Sequence, residues 1–113
     1  MSRSKRKPAY KNRSFVMLGR SMLLRDPEWQ GLGISAKVAY VYLKAKFNGS
    51  NNGRIRLYYS ELQQVRGLSS SSTISRAFKE LEKKGWIKRT RLGGLHRYFN
   101  EYELTGKQDD HVS

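Results

Sequence analysis

The chain has 113 residues, enough for one small domain with a modest core. Its 23 Lys and Arg against 9 Asp and Glu give a formal charge of +14, which calls for a polyanionic partner: DNA, RNA or an anionic membrane surface. The lack of cysteine excludes a disulfide framework and a thiolate zinc site, the two histidines (His96 and His111) leave little for any other metal, and no apolar run reaches the roughly 18 residues of a membrane span.

Residues 1–14 contain Arg3, Lys5, Arg6, Lys7, Lys11 and Arg13 and no acid. Their low apolar content predicts a disordered basic arm that lies along phosphates or enters a minor groove, the alternative being a solubilising tail. No apolar stretch of the kind found in secretory leaders follows these cations, so the expected location is cytoplasmic and nucleoid-associated.

Residues 15–34 are apolar without a clear period. Phe15, Val16, Met17 and Leu18 suggest a short strand or extended segment and residues 21–25 a helical turn, while Pro27 disfavours helix at Asp26. Trp29 and Leu32 are expected to pack on the domain as a cap, with a dimer contact as the other reading. Ser35 then reads as the cap of a helix over 36–47. Apolar residues cover most of that helix, leaving a narrow polar stripe through Lys37 and Lys44, so Tyr40 and Tyr42 are expected in the core and at its rim. Asn48-Gly49 and Asn52-Gly53 mark a loop, with glycines suited to positive φ. No Lys, Ser or Thr stands there at phosphate-loop spacing. The alternation of Arg54, Ile55, Arg56 and Leu57 predicts a strand with Ile55 and Leu57 inward.

Two helices separated by a tight turn follow. Ser60 with Gln63 fits a capping box, Leu62 and Val65 give an apolar side, and Gly67 ends the first helix. The second runs over 70–84 and stops at Gly85. At about 100° per residue, Ile74, Ala77, Phe78 and Leu81 share one arc. The opposite side carries Ser72, Ser75, Arg76, Lys79 and Lys83 and no acid, with Glu80 and Glu82 on the flanks. Such a face suits either a phosphate backbone and base edges or plain solvent.

Residues 86–92 and 95–104 read as two strands joined by Gly93-Gly94, a link that matches the primed turns of hairpins. Lys88, Arg89 and Arg91 stand on the first, His96 and Arg97 on the return. Residues 66–97 hold nine Lys or Arg against two Glu, half of the +14 on about a quarter of the chain, which favours nucleic acid over solvent as what the helix faces.

The stretch GLSSSSTISRAFKELEKKGWIKRTRLGGLHRYFNEYELT resembles a winged helix-turn-helix domain, in particular those of bacterial replication-initiator and phage or plasmid regulatory proteins. The likeness lies in a Gly-Leu-Ser turn leading to Thr73-Ile74, the Leu81-Glu82-Lys83-Lys84-Gly85-Trp86-Ile87 helix end, and the Gly-rich hairpin closing on Asn100, Tyr102 and Leu104. NGSNNGRIRL resembles the loop and first strand of the same group, so the likeness covers roughly residues 15–105.

The resemblance implies an α+β fold: three helices with a small antiparallel sheet and a β-hairpin wing, in the order α-β-α-α-β-β, followed by a polar tail over 106–113. It also implies double-stranded DNA binding. Ser70, Ser71, Ser72, Thr73, Ser75, Arg76 and Lys79 would meet bases and phosphates in the major groove, with Lys88, Arg89, Arg91 and Arg97 of the wing on the flanking backbone. Beside the resemblance, Lys83 on the same helix face and Arg3, Lys5, Arg6 and Lys7 of the arm are expected to contact DNA by their charge. Related domains often carry Arg, Gln or Asn where this chain has serine, which leaves Arg76 as the guanine reader. The expected role is regulation of transcription or replication on a mobile element. No heptad marks a dimer interface, which leaves a homodimer on DNA open.

An RNA-binding protein of ribosomal type would share the size and charge, although no RNP-like strand or GXXG loop is present. A winged-helix protein-interaction module is the other alternative. No catalysis, cofactor or metal is expected. Asp26 and Glu28 flank a proline turn, and the serine run 69–72 has no base at a fixed offset.

Overall fold

The computed structural model describes residues 15–91 and 99–106. The basic arm, the Gly93-Gly94 turn, His96, Arg97 and the tail from 107 onward lie outside the described residues. What is described is α+β: five helices and a three-stranded antiparallel sheet of order β1-β3-β2.

Two short helices come first, α1 (Arg20–Arg25) and α2 (Pro27–Gln30), where a turn and an irregular cap were expected. Asp26 joins them. Its extended backbone, which the following proline favours, ends α1, and its Oδ1 accepts the Glu28 N–H at 3.1 Å to open α2 with Pro27 in the first turn. Residues 16–19 form neither helix nor strand. Met22, Trp29 and Leu32 are buried, so the segment does complete the core. Trp29 meets Tyr40 and Trp86 edge to face, and those two meet each other likewise, with ring centroids 5.6–5.7 Å apart.

Helix α3 (Ile34–Lys46) begins one residue before the expected Ser35 cap. The N-cap is Gly33, whose N–H is satisfied by the Glu80 carboxylate, 47 residues away, at 3.0 Å. Ala36, Ala39, Tyr40 and Leu43 are buried and Tyr42 is half-buried, as expected. Lys44 is not on a solvated stripe: it is only 4 % exposed, with Nζ 5.9 Å from the centre of the Phe47 ring, so its stem covers apolar surface and its ammonium meets an aromatic face.

The following loop is held by its own side chains. Asn51 Oδ1 accepts the Asn48 N–H at 3.0 Å, and Gly49 and Gly53 take the expected positive φ. Asn52 behaves as a strand residue through its side chain: Nδ2 donates to the Leu104 carbonyl and Oδ1 accepts the Leu104 N–H. Strand β1 (Ile55–Tyr58) buries Ile55 and Leu57 and exposes Arg56, as its alternation requires.

Helix α4 (Tyr59–Gln63) starts earlier than expected, with Tyr58 rather than Ser60 as its N-cap. Glu61, not Gln63, reaches back, and it accepts the Tyr58 N–H at 2.9 Å; Gln63 instead points to the Ser69 carbonyl. Gly67 turns the chain with φ 96° and Leu68 anchors the turn in the core. Helix α5 (Ser71–Lys83) is capped by Ser70, whose Oγ accepts the Ser72 N–H at 3.2 Å, and Gly85 ends it at φ 83°. Ile74, Ala77, Phe78 and Leu81 are all buried.

Strands β2 (Ile87–Arg91) and β3 (Phe99–Leu104) complete the sheet, with β3 paired to both neighbours. Tyr102 on β3 stacks on Phe78 at 4.9 Å between ring centres, and Tyr59 of α4 stacks on Phe78 from 6.2 Å. This column of rings joins α4, α5 and the sheet. It fixes which side of α5 faces inward.

Candidate functional site

The buried stripe of α5 leaves Ser72, Arg76, Lys79 and Lys83 exposed on the far side of the same helix. Among the described residues no ion pair involves Arg76, Lys79 or Lys83. Ser71 is exposed beside them, while Thr73 and Ser75 are half-buried on the shoulders of the helix. Ser70 and Ser72 serve the helix start first: their hydroxyls lie 2.8 Å apart as part of the cap.

The two acids of α5 turn away from this stripe. Glu80 accepts from Gly33 N and, at 3.1 Å, from Lys84 Nζ. The Gly33 N–H is the main influence holding the Glu80 carboxyl below its ordinary range, partial burial opposes it, and Lys84 and Lys37 add to it. Glu82 leans to Arg89 of β2, 3.6 Å away. The outer face of α5 is therefore cationic with its own carboxylates engaged at the flanks.

The cations of β2 do not form one row. Ile87 faces the core, so Lys88 projects from the opposite sheet face, in register with Glu103. Arg89, in register with Tyr102, returns to the α5 side and meets Glu82. A β-bulge between Arg89 and Arg91 sets two β2 residues against one on β3, and this sends Arg91 to the outer face instead. There Glu101, 6 % exposed, lies between two guanidiniums: Arg56 at 2.9 Å from β1 and Arg91 at 3.9 Å from β2. Arg89 and Arg91 thus share their charge with acids, whereas among the described residues no ion pair involves Lys88.

Four participants escaped the sequence reading: Gly33, Ile34, Arg56 and Glu101. Ile34 and Gly33 border an open groove of about 910 Å³ between the start of α3 and the side of α5, which Thr73, Arg76, Glu80 and Lys83 also line. An apolar residue directly after a Gly-rich turn was the available signal for Ile34. The Arg56–Glu101 pairing depends on strand register, which one strand alone does not reveal.

Asp26, weighed as half of an acid pair, is committed to capping α2. Among the described residues no group of three or more His, Cys, Asp or Glu could hold a metal ion, and no helix is long and apolar enough to cross a membrane. Comparison with known proteins finds no matching family model, no matching curated protein and no matching solved structure.

Proposed function

We propose that this chain binds double-stranded DNA as a winged helix-turn-helix domain, with α3, α4 and α5 as its three core helices, α5 in the major groove and β2–β3 as the wing. The observation that carries the reading is the stripe of Ser72, Arg76, Lys79 and Lys83 on a helix whose other side is fixed in the core. Cations without acid partners keep their full attraction for phosphate, and a helix of this diameter fits the major groove of B-form DNA. Arg76 is the candidate for a two-pronged contact with guanine, while Lys79 and Lys83 position the helix on phosphates. The wing contributes less than α5, because Arg89 and Arg91 are shared with Glu82 and Glu101 and Lys88 leaves from the far sheet face.

The role that fits is a regulator of transcription or replication on a phage, plasmid or integrated element, acting at the nucleoid without catalysing a reaction. Competition between duplex DNA and duplex RNA of equal length, at equal salt, tests the binding mode. DNA is expected to win, because the A-form major groove is too narrow to admit a helix. RNA competing equally well would replace this reading with an RNA-binding one. Selection from random duplexes then separates the roles: a palindromic motif means two copies bound together, direct repeats an initiator, and no motif an architectural protein.

A further inference from the structure

The groove beside α5 has a chemistry that a cationic stripe alone does not explain. Ile34 is 73 % exposed, more than any other large apolar side chain among those described, and it stands at the first position of α3 with no part in the core. Beside it the groove is walled by Arg76, Lys79 and Lys83, with Thr73 toward the start of α5. Glu80, which also lines it, has its carboxylate engaged by the Gly33 N–H and by Lys84 Nζ. The same Glu80–Gly33 bond ties the start of α3 to the flank of α5, so Ile34 is held alongside the helix that carries the cations.

We propose that this groove seats the sugar–phosphate backbone of one DNA strand, with Lys79 and Lys83 toward phosphates and Ile34 against a deoxyribose ring, Arg76 at its edge remaining free to reach a base; the inference rests on the DNA-binding reading above. A DNA strand alternates anionic phosphate with a largely apolar sugar, and the groove offers cations and an apolar side chain in the same order of chemistry. The consequence is a component of affinity that salt does not screen, since removing apolar surface from water releases no counterions. A ribose 2′-hydroxyl facing Ile34 would lose its water without gaining a partner, which disfavours RNA by a route separate from groove width.

The test uses the full chain, a labelled duplex DNA and a series of salt concentrations, with wild type, Ile34→Ser and Lys83→Ala. Ile34→Ser is expected to weaken binding by about three- to tenfold at every salt concentration, leaving the slope of log affinity against log salt unchanged. Lys83→Ala is expected to flatten that slope by about one unit. Thermal melts of Ile34→Ser and wild type should coincide, because the side chain is exposed. Wild-type affinity from Ile34→Ser, with Lys83→Ala still weakened, would overturn the groove assignment while leaving DNA binding intact. A second duplex with deoxyuridine for thymidine checks the contact: if wild type loses affinity on it and Ile34→Ser does not, Ile34 touches thymine methyls and the sugar assignment falls. If wild type binds no duplex at all, the DNA reading itself fails.

Discussion

Glu80 Oε2 lies 3.0 Å from the Gly33 nitrogen, so a side chain from the C-terminal half of α5 closes the start of α3. The bond couples the cationic helix to the central one and keeps a carboxylate off the outer face. Replacing Glu80 by Ala should cost about 1 kcal/mol, as loss of a helix cap does, and Glu80→Gln less, since its amide oxygen still accepts. The Glu80 pKa is lowered in the folded chain, so its contribution is present above the ordinary carboxylate range and is lost as pH falls through the folded value. Urea denaturation of wild type and Glu80→Gln at neutral and acid pH should show the difference shrinking in acid. A difference that grows in acid would mean that the charged form is not what stabilises.

Arg76→Ala and Lys83→Ala remove equal charge from one helix face, yet their effects should differ. On the DNA-binding proposal Lys83 positions, so its loss should weaken selected and random duplexes alike. On the same proposal Arg76 reads a base, so its loss should reduce discrimination against random DNA by roughly 1–3 kcal/mol. Lys88→Ala should cost less than Lys83→Ala, because Lys88 leaves from the sheet face away from α5. Equal losses on both DNAs for Arg76→Ala would reduce Arg76 to a phosphate contact and the protein to an architectural binder.

Deleting residues 1–14 should leave the melting temperature unchanged, since their low apolar content offers little to a core and among the described residues the first buried one is Met22. Six cations go with that segment, so the salt dependence of DNA binding should become shallower, by about 0.9 for each phosphate that the arm neutralises. A lowered melting temperature would assign the segment to the fold.

Tyr102 is buried at the sheet end of the ring column. Burial against Phe78 is the main cause that pushes its hydroxyl up to about 12, partly offset by the hydrogen bond from Asn100. The neutral phenol is favoured in the folded chain, so this stabilisation is complete below the ordinary value of about 10 and is lost as pH rises through 12. Tyrosinate absorbance in an alkaline titration should show a late phase that Tyr102→Phe removes. Phe78→Ala, which empties the middle of the ring column, should cost about 3–5 kcal/mol in urea denaturation.

Local signals were legible wherever one element alone determined the outcome. The buried arc of α5, the positive φ of Gly67 and Gly85, and the alternation of Ile55 and Leu57 each follow from short-range periodicity or backbone freedom. Helices of six and four residues show too little period to read, which is why α1 and α2 looked like a turn and a cap. The cap of α3 lies 47 residues away in sequence, beyond any local capping rule. At α4 two acceptors competed for the role of N3, and the strand ending at Tyr58 decided for Glu61. Of the site, the α5 stripe was readable, whereas the sorting of Arg89 and Arg91 to different sheet faces depends on a bulge that composition does not announce.

On α5 no residue serves both sides: Ile74, Ala77, Phe78 and Leu81 hold the fold, and Ser72, Arg76, Lys79 and Lys83 hold nothing in it beyond one hydroxyl at the cap. The three outward cations are free to drift under selection for a new target while the melting behaviour stays close to where it is, whereas Ser72 is tied to the cap. Arg76, Lys79 and Lys83 can be exchanged together for other good helix formers without disturbing the ring column or the cap, whereas Gly or Pro there would cost about 1 or about 3 kcal/mol. If α5 reads DNA as proposed, a lineage carrying this scaffold could change its genomic address by rewriting one helix face, and an engineered library over the same cations would search binding alone.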